Sequence, residues 1–347
     1  MPSFACPLIL TQGDPAGIGP EIIVKAALEG TLAAWGDALL VAGDGAILQR
    51  AAALLGVAAE RRPAANGEEL LRLGSHGLRV RPLSQLDPQQ TPFGQLRAAN
   101  GRAMLDYIEW ACAECRAGRA AGMVTAPIHK EAIHAAGCLF PGHTELLAER
   151  CGTEQVVMML AGSRLRVCLV TTHLALRAVP AALTSAAILA TIKVTAAALQ
   201  RDFALPQPRL AVLALNPHAG ENGLFGDEEQ RLIVPAIERA QAAGLAVSGP
   251  HSADTLFHFA VQGRYDAVIC MYHDQGLIPL KLLHFDDGVN VSLGLPIVRT
   301  SVDHGTAYDL AGSGRANPAS LVAAVNMAAQ MARNRQGRCA GGCQHAG

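Results

Sequence analysis

The sequence predicts an α/β protein with a largely parallel sheet, and three observations carry that expectation. Short apolar runs alternate with longer segments of helical period, the stretches between them are short, and no repeat of solenoid period occurs. Strands are expected at 8–11, 38–42, 122–125, 156–160, 166–171, 210–215, 267–271 and 289–293. Each is a nearly unbroken apolar run, as in strands buried on both faces. Helices are expected at 20–28, 185–199, 228–243 and 318–333. In the second of these, Ile188, Leu189, Ile192, Ala196 and Leu199 recur at helical spacing and form one face. A chain of 347 residues suggests two domains. No linker rich in proline, serine or charge separates them, so they are expected to interlace.

Composition narrows the function classes. With 28 basic and 29 acidic residues the net charge is −1, which gives no electrostatic footprint for nucleic acid or an anionic membrane. No uncharged stretch reaches membrane-spanning length. The opening MPSFACPLILTQGD lacks a basic region and is not read as a signal peptide. The 9 cysteines are an odd number without zinc-ribbon spacing; Cys112 and Cys115 form a lone CxxC inside a helical pattern. A reducing cytoplasm is expected.

The most informative pattern is positional. Three expected strands end, after two or three residues, in a histidine: His173 after TT, His218 after NP and His273 after MY. Open α/β sheets bind ligands at the carboxyl ends of their strands. Taken singly, each histidine reads as a capping or hydrogen-bonding residue. Three at equivalent positions read as ligands of one catalytic divalent metal.

Other polar groups gather at similar positions. Pro141-Gly142 presents His143 and Thr144 at a helix start, where Thr144 could cap the helix or bind an anion. Lys281 is one of only four lysines; it reads as a helix-end cation or as a substrate contact, and Asn290 and Arg299 follow it. Lysine and arginine near a metal suggest a substrate bearing carboxylate or phosphate. The loop GDPAGIGPE looks like a dinucleotide fingerprint and is not one, because Ile22 stands where the third glycine belongs and Pro20 removes a donor amide.

The runs GDPAGIGPEI, GHTE, TTH, LNPHAGE, MYHDQGLIPLK and GVNVSLGLPIVRTSVDHGTAYDLAGSG, in that order, resemble the 4-hydroxythreonine-4-phosphate dehydrogenase family. The resemblance implies an isocitrate/isopropylmalate dehydrogenase-like fold, with two interlaced α/β domains and an active-site cleft between them. On that reading 1–135 with 295–333 form the first domain, 136–294 the second, and 334–347 a disordered tail. It implies one divalent metal (zinc, cobalt or magnesium) on His173, His218 and His273, and substrate contacts at His143, Thr144, Lys281, Asn290 and Arg299. It also implies a homodimer with a shared site, in which the partner's His273 completes the metal shell. The stretch HGTAYDLAGSGRANP is similar to the adenosine-binding loop of the same superfamily, implying NAD contacts at His304, Gly305, Thr306, Asp309 and Asn317. A carboxylate at Asp309 would repel a 2′-phosphate, so NAD is expected over NADP.

The implied activity is NAD- and metal-dependent oxidation and decarboxylation of 4-phosphooxy-L-threonine to 3-amino-2-oxopropyl phosphate in pyridoxal 5′-phosphate biosynthesis, with Lys281 and Asp254 as acid/base candidates. Asp254 reads equally as a helix N-cap. Asp286 and Asp287 depart from the family's pattern, which there is richer in glycine and carries a basic residue. Dehydrogenases of D-threonate or D-erythronate 4-phosphate therefore stay open as alternatives. A terephthalate dihydrodiol dehydrogenase fits less well, because that branch lacks the His143–Thr144 pair. From a different class, a metal-dependent aldolase or hydrolase would share the histidines but need no dinucleotide loop.

Overall fold

The computed structural model describes residues 6–341. Its strands are β1 (Leu8–Thr11), β2 (Leu39–Gly43), β3 (Ala59–Pro63), β4 (Glu69–Leu73), β5 (His76–Pro82), β6 (Gly122–Thr125), β7 (Val157–Ala161), β8 (Arg166–Leu169), β9 (Leu210–Leu213), β10 (Val247–His251), β11 (Ala267–Cys270), β12 (Val289–Leu293) and β13 (Arg299–Val302). Its α-helices are α1 (Gly19–Leu28), α2 (Gly45–Leu54), α3 (Ala98–Arg116), α4 (Lys130–Ala135), α5 (His143–Cys151), α6 (Val179–Ala182), α7 (Ser185–Asp202), α8 (Val234–Ala242), α9 (Ala253–Ala260), α10 (His273–Leu283) and α11 (Ala319–Gly341). The α/β class holds. Every expected strand and helix has its counterpart, displaced by a few residues at the ends. Among the described residues, no single helix is long and apolar enough to cross a membrane.

The chain divides into two units, one running to Thr153 and resuming at Leu295–Arg333, the other spanning Glu154–Gly294 and continuing from Asn334. In the first unit the strand order is β13-β6-β1-β2-β5-β4-β3. Strand β1, LILT, is buried throughout and pairs in parallel with β2 and β6. Its side chains have no polar face to show water, which is why it reads as an unbroken apolar run. Helix α2 starts where it does because the Asp44 carboxylate accepts hydrogen bonds from the amides of Ala46 and Ile47.

In the second unit the order is β10-β9-β11-β8-β7-β12. Strands β10, β9, β11 and β8 run parallel, while β7 pairs antiparallel with both β8 and β12. The core here gathers Val167, Leu169, Ala211, Leu213, Val268 and Leu280 from those strands and α10. The apolar face expected on α7 is buried in full.

Three expectations are corrected. The first unit extends past 135 to Thr153, so His143 and Thr144 belong to it. Helix α5 is fastened there: Arg150 pairs with Glu109 of α3 at 2.6 Å, and the Cys151 and Cys112 sulfurs stand 3.9 Å apart. The helix expected at 228–243 begins as a π-turn, Glu229–Ile233, before α8. Pro235 offers no amide to close a tighter turn, and Glu229 is drawn inward by other partners. The expected tail is helical as far as Gly341; the rest of it, 342–347, lies outside the described residues.

Asp202 holds the start of that tail. Its carboxylate, 1% exposed, accepts from Arg201 at 2.7 Å and Arg335 at 2.6 Å, and its carbonyl accepts from Asn334. Burial opposes the charge, but the two guanidinium groups outweigh it and hold the carboxyl below its usual range. Replacing Asp202 by Ala should lower unfolding stability by about 3 kcal/mol, since Arg335 would lose its buried partner. Arg335→Ala should reproduce part of that loss, read in each case by chemical denaturation.

Candidate functional site

The second unit brings the three strands that lead to His173, His218 and His273 together as neighbours. Strands β9, β11 and β8 are neighbours, with β11 in the middle, and all three are parallel. His218, His273 and His173 therefore leave the same edge of the sheet. The His173 and His273 rings stand 5.6 Å apart, tilted by 45°. Nδ1 of His273 lies 2.7 Å from Asp274 Oδ1, a bond that orients the ring and leaves the Nε2 lone pair available to a metal. Both rings line a pocket of about 470 Å³ together with Thr172, Leu174, Tyr272 and Asp274. The donor chemistry suits zinc or cobalt. Among the described residues of one chain, no three His, Cys, Asp or Glu side chains are close enough to hold an ion.

His218 sits in a backbone that few sequences adopt. It, Ala219, Gly220, Glu221 and Asn222 all have positive φ, between 45° and 78°. For the four non-glycine residues this left-handed turn is strained, and such strain persists only where surrounding structure enforces it. Buried Glu229 holds the segment leading into it: Oε1 accepts from the amides of Leu215 and Asn216 at 2.9 and 2.8 Å, and Oε2 from the Asn216 side chain at 3.0 Å. A Cβ at Gly220 would stand 2.7 Å from Glu229 Oε2, so only glycine fits. Asp254, exposed in the first turn of α9, is not the N-cap; Ser252 is. The Ser252 hydroxyl, donating at 2.6 Å, and the nearby His218 hold the Asp254 carboxyl below its usual range.

Lys281 lies in the last turn of α10, its ammonium 6.0 Å from the Phe285 ring centre. Asn290 on β12 carries an Oδ1 that is buried and without a partner. The acidic departure has a local explanation. Nε2 of buried His284 accepts from the Arg164 amide at 3.3 Å, so Nδ1 carries the proton and donates to Asp287 at 3.0 Å. The His284 ring fills the space that a Cβ at Gly162 would need.

The first unit holds a separate polar group. Arg299, 3% exposed on β13, donates from Nη2 to Thr125 Oγ1 at 2.8 Å, and burial lowers its pKa to about 10. His143 heads α5, with its Nε2 buried and unpartnered. Burial first, then the charges of Arg299 and Lys130, push its pKa well below the usual value, so the ring is neutral. Gly142 is the N-cap of α5, so Thr144 is not the cap and stands in the helix's first turn. A helix start, a neutral imidazole and a buried guanidinium together suit an anion.

The glycine-rich loop proves to be a cradle for the stretch compared with an adenosine-binding loop. Tyr308 donates to Asp14 at 2.6 Å and stacks on His129 at 4.7 Å. The Ile18 amide donates to the Thr306 carbonyl, the Ala316 amide to Glu21, and Lys25 to the carbonyls of Gly314 and Ala316. Burial raises the Asp14 pKa, and the Tyr308 hydroxyl moderates that shift. Asp309 and Gly305 are exposed, and His304 Nδ1 lies 3.1 Å from the Gly305 carbonyl. Asn317 Oδ1 accepts from the amide of Ala319, the first residue of α11. Composition and spacing give no role to Asp14, Glu21, Lys25 or Tyr308, while His129 stands out only as a polar residue past the end of β6. For Asp14 and Glu21 the signal is GDPAGIGPEI itself, whose failure as a fingerprint leaves it without a role.

Residues 35–328 match the family described as pyridoxal phosphate biosynthetic protein PdxA. The chain belongs to that family. A 4-hydroxythreonine-4-phosphate dehydrogenase of Geobacter metallireducens is 54% identical over 336 residues, 96% of this chain and 97% of that one. The crystal structure of 4-hydroxythreonine-4-phosphate dehydrogenase from Klebsiella pneumoniae matches with a TM-score of 0.84 at 42% identity, covering 96% of this chain and 99% of that one. A terephthalate 1,2-cis-dihydrodiol dehydrogenase from Burkholderia xenovorans is more distant, at 30% identity and a TM-score of 0.63 over 94% and 98% of the two chains.

Burial gives His143 a measurable signature. Below the ordinary histidine value of about 6.5 the unfolded chain takes up a proton that the folded chain refuses, so stability falls as pH falls. One pH unit below that value the loss is about 1.4 kcal/mol. His143→Gln should remove it, and a calorimetric Tm series between about pH 7 and 5 should fall less steeply for the variant.

Proposed function

We propose that this dehydrogenase oxidises 4-hydroxythreonine 4-phosphate with NAD and one divalent metal, and that loss of carbon dioxide leaves 3-amino-2-oxopropyl phosphate for pyridoxal 5′-phosphate synthesis in the cytoplasm. The observation that carries the reading is the set of three histidines leaving adjacent parallel strand ends, in a chain about half identical to a dehydrogenase of that name. When bound, the ion would polarise the substrate hydroxyl and the nicotinamide would accept hydride.

The chain's own residues do the rest. His173, His218 and His273 hold the ion, and Asp274 keeps the His273 ring turned outward. The proton leaving the hydroxyl goes to Lys281 or to Asp254; Asp254, held below the usual carboxylate range, is ionised at neutral pH. Asn290 offers its orphaned carbonyl oxygen to a donor on the substrate. In the first unit, Arg299, Thr144 and neutral His143 receive an anionic group, and His143 can donate without adding charge. His304, Gly305, Thr306, Asp309 and Asn317 hold NAD, on a loop braced from behind by Asp14, Glu21 and Lys25. An aldolase or hydrolase is set aside by membership in a family of dehydrogenases.

The chain is further proposed to work as a homodimer whose sites are shared. Helix α10, which His273 opens, exposes Ile278 (67%), Leu282 (85%) and, just beyond it, Phe285 (77%). An apolar face of that kind suits a second copy of the chain.

A panel of 4-hydroxythreonine 4-phosphate, D-threonate 4-phosphate and D-erythronate 4-phosphate, assayed for NADH production with and without chelator, tests the substrate and the metal together. The first should be preferred and the chelator should abolish turnover. NADP should be less efficient by about ten- to hundredfold, because Asp309 disfavours a 2′-phosphate by an amount on the order of 1–3 kcal/mol. Equal turnover of either sugar acid, or equal use of NADP, sinks the corresponding assignment.

Mixing decides the shared site. His173→Ala and His273→Ala homodimers should each be inactive. In a heterodimer of the two, a shared site places both lesions together and leaves the other site whole, restoring about half of the parent activity. Verified subunit exchange with no recovery would mean that each chain builds its site alone.

A further inference from the structure

We propose that Gln275 is the positioning residue of the metal site, its carboxamide locking the strand end that leads to His273 onto the strand end that leads to His218. The proposal rests on the metal-site reading above.

The geometry is local to the second unit. The parallel ladder between β9 and β11 registers for the last time where Ile269 faces Val212. Beyond that pair the two chains run on toward His273 and His218 without ladder bonds to one another. The Gln275 side chain, 8% exposed, fills the gap. Its Oε1 accepts from the Met271 amide at 2.7 Å, and its Nε2 donates to the Ala214 carbonyl at 2.7 Å. On the other side of β11, Thr171 Oγ1 donates to the Met271 carbonyl at 2.7 Å. Met271 is therefore held from both sides. Thr171 stands two residues before His173, Met271 two before His273, and Ala214 four before His218. One peptide-spaced network ties together the three chain segments that present the ligands.

The residue type follows from the task. The gap offers an amide hydrogen on one strand and a carbonyl oxygen on the other, so the bridging group must accept at one end and donate at the other. A carboxamide does both and carries no charge into a buried place. A glutamate would set a carboxylate against the Ala214 carbonyl, and a methionine of similar size would leave both backbone groups unpaired. The lock also does not titrate, so it holds the ligands alike at any pH where they bind. In a shared-site dimer, each lock sets ligands belonging to both sites.

The test titrates metal-free protein with Co²⁺, reading the dissociation constant by chelator competition and the geometry by the visible d–d absorption. The proteins compared are the parent, Gln275→Met, Thr171→Val and His273→Ala, each checked for native circular dichroism. Gln275→Met should weaken Co²⁺ binding by about 10- to 100-fold and alter the d–d bands, as expected when the groups that orient metal ligands are lost. Thr171→Val removes a single hydroxyl, so it keeps the test open if Gln275→Met does not fold. It should shift both readings in the same direction by a smaller factor. Parent-like affinity and spectrum in a folded Gln275→Met or, should that variant not fold, in Thr171→Val, with binding lost in His273→Ala, would overturn the lock and leave the metal site standing. Parent-like binding in His273→Ala as well would overturn both.

Discussion

Strands of a parallel sheet all end at the same edge, and the second unit is arranged around that constraint. A parallel order of β9, β11 and β8 delivers three chain segments to one place with the same polarity. The segments that follow those strands therefore all set out from one edge. The difficulty is the backbone past the last ladder bond, where amides and carbonyls lose their strand partners while still buried. The chain meets this with side chains of matched polarity: Thr171 and Gln275 around Met271, and Glu229 beneath Leu215 and Asn216. The same carboxylate lies against the left-handed turn that follows, where a Cβ at Gly220 would stand 2.7 Å from its Oε2.

The legible part of this arrangement in the sequence was the part with a simple period. Strands buried on both faces have no polar alternation to confuse them, so β1, β6 and β12 stood out at their observed bounds. The edge of the first sheet did not. Strand β3 reads AERRP, is mostly exposed, and pairs Arg61 with Glu69 of β4 at 2.7 Å. Charge along an exposed edge guards against unwanted pairing, and the same charge hides the strand from any search for apolar runs. The tail was hidden for a related reason: α11 continues past Arg333 on polar ties to Asp202, which leave no apolar repeat to find.

At the candidate site, residue types were legible and their supports were not. Histidines after strands announce themselves; the buried carboxamide and carboxylate that steady the segments before them look like ordinary polar residues, since most of their partners are backbone atoms on other segments. Gln275 reaches Ala214 across 61 positions, and Ala316 reaches Glu21 across 295. Nothing in a one-dimensional spacing encodes such a pair. Thr144 shows the converse. Its place after a glycine turn allowed two roles, and one backbone angle, the extended φ of Gly142 as N-cap, removes the capping role.

The glycine-rich loop and the acidic pair make the same point from opposite directions. GDPAGIGPE has the look of a phosphate loop, yet its buried Asp14 would repel a phosphate, and its polar groups turn instead to Tyr308, Thr306 and Ala316. Asp287 has the look of a charge that should drive a phosphorylated substrate away, yet it is engaged by the His284 proton. That proton is located by the second ring nitrogen, which accepts from the Arg164 amide and so cannot carry one. A charge read from sequence is a charge without a partner. Once its partner is known, Asp14 becomes a brace for a neighbouring loop and Asp287 a tether for a buried ring.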